Sequence, residues 1–170
     1  MIKEQDKYLK LVSILLQYPD DTLFGGLPEL EKFVRELSPG EQKKSLEEFL
    51  CYLKTQETRC LQELYTAAFD MNPSTTLNIT YHLWGDSEKR AGALTGLRQI
   101  YQDAGYECTT GELPDYLPMM LEFLAVCPEA RGIDLIRECL KPLKEVARRL
   151  GETALSYSKL LQSLIDTCGN

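Results

Sequence analysis

An all-α fold is what the sequence predicts, and three observations predict it. Apolar residues recur at helical spacing along nearly the whole chain, as in Leu27, Leu30, Val34 and Leu37, or Ala91, Leu94, Leu97, Ile100, Tyr101 and Ala104. Proline and glycine fall mostly between such runs, as at Tyr18-Pro19, Gly105 and Cys127-Pro128. Only Leu77 to Trp84 alternates like a strand, and it has no second strand to pair with. An isolated strand leaves its backbone groups unsatisfied, so this segment is read as a short helix. The expectation is one domain over residues 1–170, a helical bundle of eight or nine helices. At 170 residues, 44% hydrophobic and 26% charged, the chain can bury a sizeable core without staples.

In chain order, Tyr8, Leu9, Leu11, Val12, Leu15 and Leu16 give a first helix with a wide apolar face. It ends before Pro19, because proline pushes the preceding residue out of the α region. Gly25-Gly26 reads as a turn before the second helix. No phosphate-binding glycine pattern surrounds the pair. Ser38-Pro39-Gly40-Glu41 reads as a capping box opening a third helix with Leu46, Phe49, Leu50 and Leu53. A fourth runs through Leu61, Leu64, Tyr65, Ala68 and Phe69, and Asp70-Met71-Asn72-Pro73-Ser74 breaks the chain.

Asp86 or Ser87 is placed to cap the helix that stops at Gly105. In the acidic loop Glu112-Leu113-Pro114-Asp115-Tyr116, Asp115 is expected to cap the next helix, with Pro118 in its first turn. That helix, over 116–127 and ended by Cys127-Pro128, is apolar on two faces and so should be central. Leu135 to Leu150 reads as one long helix kinked at Pro142 and stopped by Gly151. A last helix carries Leu155, Leu160, Leu161, Leu164 and Ile165.

The net charge of −7 argues against nucleic acid, whose phosphates require a basic stripe, and suits a basic partner. Six cysteines occur without a C-x-x-C pair, and charged residues near the start interrupt any signal-like apolar run. Free thiols in the cytoplasm are expected. No apolar run is long enough for a membrane span, so stable membrane insertion is not expected.

His82, the sole histidine, cannot make a zinc site alone, and no cysteine pair stands at zinc spacing. Packing or capping explains such a histidine without any function. Trp84 and Tyr81 fit a core as well as a ligand platform. Glu122 is the sole charge between Tyr116 and Cys127, so it either reaches solvent or faces a cleft and a cation.

Several of these stretches, in this order, carry a resemblance. Val12 to Phe24, Phe69-Asp70, His82, Gly85-Asp86-Ser87 with Arg90, and Glu112-Leu113-Pro114-Asp115 with Leu117-Pro118 and Glu122 resemble one family. It is that of the NarJ-type (delta subunit) assembly chaperones of molybdenum-containing nitrate reductase, within the TorD/DmsD class of redox-enzyme maturation chaperones. Tyr116 stands where the family often has histidine, and Met71 to Ser74 replace residues that are often basic.

The resemblance implies a NarJ/TorD-like bundle that is not an enzyme and has no cofactor of its own. Its implied partner is the N-terminal segment of a molybdoenzyme catalytic subunit. The expected mode is an amphipathic helix laid between the 77–104 and 116–127 helices, with acidic loop groups steering it. The candidate peptide-binding residues are Tyr81, His82, Asp86, Arg90, Glu112, Leu113, Pro114, Asp115, Tyr116, Leu117, Glu122 and Phe123. Asp70–Ser74 is a candidate hinge for a homodimer formed by helix exchange. The rival readings are a metal-binding or catalytic helical domain using His82 with Glu112 or Asp115, and a structural subunit retained in the mature enzyme.

Overall fold

The structure is a computed structural model that describes residues 2–168. Ten α-helical segments occur among them: α1 (Glu4–Leu15), α2 (Asp21–Arg35), α3 (Glu41–Thr55), α4 (Thr58–Tyr65), α5 (Thr80–Trp84), α6 (Glu88–Asp103), α7 (Leu117–Val126), α8 (Ile133–Leu140), α9 (Leu143–Leu150) and α10 (Leu155–Cys168). Pro142 lacks the N–H that would continue the ladder, so the long helix expected there is broken rather than merely kinked. Counted as one broken rod, α8 and α9 bring the number to nine. No strand occurs among the described residues, and the fold is all-α as expected.

Helix α7 organises the molecule. Leu117 and Leu121 belong to a large core cluster built by α1, α2, α3, α4, α9 and α10. Met119, Met120 and Phe123, on its other side, belong to a second cluster with Leu97, Ile100 and Tyr101 of α6 and Ile136 and Cys139 of α8. Its two apolar faces are thus both consumed, as the sequence pattern required. Where α1 crosses it, the buried Ser13 donates its hydroxyl to the Pro118 carbonyl at 2.6 Å.

Four local expectations are corrected. Gly25-Gly26 is not a turn but lies inside α2, because Asp20 caps that helix upstream by accepting from Leu23 N at 3.0 Å. The buried stripe Leu23, Leu27, Leu30 and Val34 outweighs the cost of two glycines, about 1 kcal/mol each relative to Ala. Ser38 is not a cap either: its N–H and hydroxyl donate to Glu4 at the start of α1, and Gly40 takes the N-cap position of α3.

Leu77 to Ile79 lies outside the helix, with Asn78 in an isolated antiparallel bridge to Tyr116 and Ile79 already turning into α5. It finds a partner in the acidic loop: Ile79 N donates to Asp115 O at 3.1 Å and Leu117 N to Leu77 O at 2.9 Å, forming one antiparallel bridge. The helix begins only at Thr80. Asp115, finally, does not cap α7. Tyr116 holds that position without a side-chain bond, and Asp115 turns inward.

Two expected helix ends hold. Ser87 caps α6 by accepting from Arg90 N at 3.4 Å, and Gly105 takes a left-handed φ of 71° after its last turn. Gly132 is needed sterically as well as for its φ of 87°, since a Cβ there would lie 2.9 Å from Ile100 of α6.

Candidate functional site

The two motifs expected to form the site do meet, at Asp115. This carboxylate is wholly buried, and Oδ2 accepts from Thr80 N at 3.3 Å, from the Thr80 hydroxyl and from Arg90 Nη2 at 3.3 Å. Its Oδ1 accepts from Asn78 Nδ2 at 3.1 Å. Arg90 Nε donates to Thr80 Oγ1 at 3.1 Å, and its guanidinium lies 5.7 Å from the Tyr81 ring centroid. A buried carboxylate with this many donors clamps α5 and α6 to the entry of α7. Its burial also removes Asp115 from any role in steering a ligand from solvent.

His82 Nε2 donates to the Thr76 carbonyl at 2.8 Å, which fixes its tautomer. Burial lowers its pKa below the usual imidazole value, and Arg149 works in the same direction. The Thr76 bond and the Asp115 charge oppose the shift. Tyr116 is half-buried, and its hydroxyl lies 3.0 Å from that of Tyr65. Tyr65 spends its own proton on the Leu16 carbonyl at 2.8 Å, so Tyr116 is the donor between the two. Burial raises the pKa of both phenols.

Of the remaining predicted residues, Leu117, Phe123 and Pro114 are buried, while Asp86, Glu112 and Leu113 are exposed. The seat expected between the 77–104 and 116–127 helices is not open. Leu97, Ile100 and Tyr101 are buried there in one cluster with Met119, Met120 and Phe123, and the Tyr101 and Phe123 ring centroids lie 4.7 Å apart, so these apolar side chains already cover one another. Glu122 has already found a cation. Lys10 of α1 donates to it, and so does the Tyr106 hydroxyl. Burial works to raise the Glu122 carboxyl, and these two hydrogen bonds overcome it and hold the pKa below the usual range.

An open apolar groove lies elsewhere. Residues of α1 and α2, with Ala125 and Val126 at the end of α7, line a cleft with a volume of ≈ 920 Å³. Leu11, Ile14, Leu30, Phe33 and Val126 line it, and Phe33 and Val126 are 46% and 54% exposed. Gly26 leaves its wall bare, with nothing within 4 Å of where a Cβ would stand. Acidic Asp6, Asp20, Glu29 and Glu36 stand along it with only Lys7 and Lys10 as cations, and Glu122 holds Lys10. Sequence reasoning missed this surface. Its signals were Ile14 and Phe33, which lie off the buried stripes of their helices, and a glycine pair inside a helical run.

Around the rim, Tyr18 also lines a second, smaller cavity of ≈ 200 Å³ with Tyr65, Phe69, Asp70, Glu112 and Tyr116. Among the described residues no three of His, Cys, Asp and Glu converge as metal ligands, and no helix is long and apolar enough to cross a membrane. The six thiols are unpaired. The rival pairing of His82 with Asp115 or Glu112 is not formed: Asp115 is spent on Thr80, Asn78 and Arg90, and His82 on Thr76.

The fold and site define an all-α bundle with an exposed apolar groove, its buried Asp115 charge spent on structure. Its family is evident from comparison. The model of the nitrate reductase delta subunit family matches residues 35–161, and the chain belongs to that family. A Bacillus subtilis (strain 168) protein named "Probable nitrate reductase molybdenum cofactor assembly chaperone NarJ" is 30% identical over 159 residues, 94% of this chain and 86% of that one. The Escherichia coli (strain K12) protein named nitrate reductase molybdenum cofactor assembly chaperone NarJ is also 30% identical, over 92% of this chain and 67% of its own. A crystal structure described as that of a candidate redox enzyme maturation protein from Archaeoglobus fulgidus superposes with a TM-score of 0.71, at 21% identity, over 97% of this chain and 94% of that one. Both named relatives carry the name of an assembly chaperone.

Proposed function

We propose that this chain is a cytoplasmic, single-domain chaperone for a nitrate reductase-type molybdoenzyme. It binds the N-terminal segment of the catalytic subunit and holds the apoprotein for molybdenum cofactor insertion and complex assembly. The names of its relatives support the assembly role, and the α1–α2–α7 groove carries the peptide reading. An apolar cleft of this size, with exposed Phe33 and Val126, suits the apolar face of an amphipathic helix. The acidic residues along it, within a net charge of −7, suit basic residues on the helix's other face.

The exposed members of the first candidate set, Asp86, Glu112 and Leu113, then act at the periphery, and the buried ones hold the scaffold. The same reading includes a homodimer by helix exchange at Asp70–Ser74. Such exchange has to release Arg149 Nη1, which donates to Ser74 O at 3.0 Å.

The test is calorimetric titration with a synthetic peptide of the catalytic subunit's N-terminus, about 15 residues or four helical turns long. Binding is expected, with loss of affinity in Ile14→Asp and Phe33→Asp variants that retain their fold. No binding by the parent chain would end the peptide reading. Undiminished binding by both variants would move the site off the groove.

A further inference from the structure

The small cavity behind Tyr18 is too narrow for a drug-sized ligand, which needs roughly 300 Å³ or more. At ≈ 200 Å³ it holds the head of one side chain. Its wall is aromatic: Tyr18 and Tyr65 meet edge to face at 5.5 Å, and Tyr116 stands beside them. Two carboxylates line it, Asp70 and Glu112, and no cationic residue does. Neither carboxylate has an ion pair or hydrogen bond with any described residue.

The polar groups around it offer acceptors. The Tyr116 proton is committed to Tyr65, and Asn78 Nδ2 donates to Asp115, which leaves the Tyr116 oxygen and the Asn78 side-chain Oδ1 as acceptors. The negative charges of Asp70 and Glu112 both reach Tyr116, adding to the burial that pushes its phenol up. Tyrosine faces, unpaired carboxylates and vacant acceptors together favour a planar cation with several N–H donors. Among the described residues none lines the cavity.

We propose that this cavity is a subsite for one arginine guanidinium, carried by the helix that lies in the α1–α2 groove. Tyr18 belongs to both surfaces, so a side chain leaving the groove at its rim turns directly into the cavity. The chaperone would thus read two things at a fixed spacing, an apolar stripe and a basic residue beside it. The occupant's identity rests on the peptide reading above, but the subsite can be tested without it.

The probes are Nα-acetyl-L-argininamide, its uncharged isostere Nα-acetyl-L-citrullinamide and Nα-acetyl-L-lysinamide, read by NMR on the tyrosine rings of the full chain. Argininamide is expected to shift Tyr18, Tyr65 and Tyr116, citrullinamide is not, and the shifts should vanish in Asp70→Asn/Glu112→Gln. Both substituted groups are exposed, so the variant should melt with the parent. Absence of argininamide-specific shifts overturns the subsite, whether or not any client peptide binds. Equal response to lysinamide overturns the guanidinium assignment.

In the peptide titration, one arginine-to-citrulline replacement should cost about tenfold in Kd with the parent chain and nothing further with the double variant. Losses that simply add would show the arginine sits elsewhere. Failure of the parent chain to bind any peptide removes the function proposed above, and the small-molecule arm still judges the cavity.

Discussion

Arg90 and Asp115 meet 3.3 Å apart where the carboxylate has no exposure at all and the guanidinium side chain only 15%. They lie 25 positions apart, one on α6 and one at the end of the acidic loop, and Thr80 of α5 bonds to both. The most motif-like acidic residue of the chain is therefore structural. Asp115→Ala leaves Arg90 and Thr80 facing an empty site, and removing one partner of a buried pair typically costs about 3–5 kcal/mol. Denaturant unfolding checks it, and a loss under about 1 kcal/mol would mean that solvent or Asp86 replaces the carboxylate.

Leu121 has no exposure and sits where α7 meets the larger core cluster. Leu121→Ala is expected to destabilise by about 2–5 kcal/mol, through lost transfer energy plus the cavity left behind. Urea unfolding measures this, with an unchanged slope if the variant remains two-state.

Gly26 offers a substitution that separates stability from binding. It lies inside α2 with open space where its Cβ would be, so Gly26→Ala should stabilise the chain by about 0.5–1 kcal/mol. Gly26→Phe should keep the fold and fill the groove, weakening a client peptide by about tenfold or more. Normal binding by the Phe variant would place the peptide off this wall.

Glu112 is exposed and unpaired, and exposed charge acts on association through long-range fields. Glu112→Lys should slow association of a basic peptide at low ionic strength and flatten its salt dependence. Stopped-flow traces at two salt concentrations decide this. Tyr116 is better tested as Phe than as Ala, because the ring is half-buried and its hydroxyl bonds to Tyr65.

His82 sets a pH dependence with a definite sign. Its folded pKa is depressed below the ordinary 6.5, so the unfolded chain takes up the proton first. Its contribution is present above about 6.5 and is lost as pH falls through the depressed folded value. The depressed carboxyls Glu4, Glu31, Glu122 and Glu145 lose theirs only below the carboxylate value of 4.5. His82→Gln should therefore flatten the fall of the melting temperature as pH drops below about 6.5. An unchanged slope in that window would assign it to another group.

The helical periods, the two-faced α7, the Ser87 cap and the Gly105 stop were legible in the sequence, because each depends on residues within a turn or two of one another. Membership of the family was legible for a related reason, since ordered local motifs survive as strings. What the sequence could not decide was where each side chain spends its bonding capacity. Asp115 looked like a cap because a cap is the local use of an aspartate. Its actual donors, Asn78, Thr80 and Arg90, lie 25 to 37 positions away. Leu77 to Ile79 lacked a strand partner only while the acidic loop was read as a loop.

The binding surface was decided at the same level. Space between helices is open or filled according to how they cross, and the sequence gives the apolar stripe of each helix but not its neighbour. Between α6 and α7 the stripes are buried in one shared cluster. Between α1 and α2 a cleft stays open, and the bare Gly26 wall with Ile14 and Phe33 is left as the groove. Propensity acts along the chain, whereas burial is settled by contacts between distant segments, and only the packed molecule fixes those.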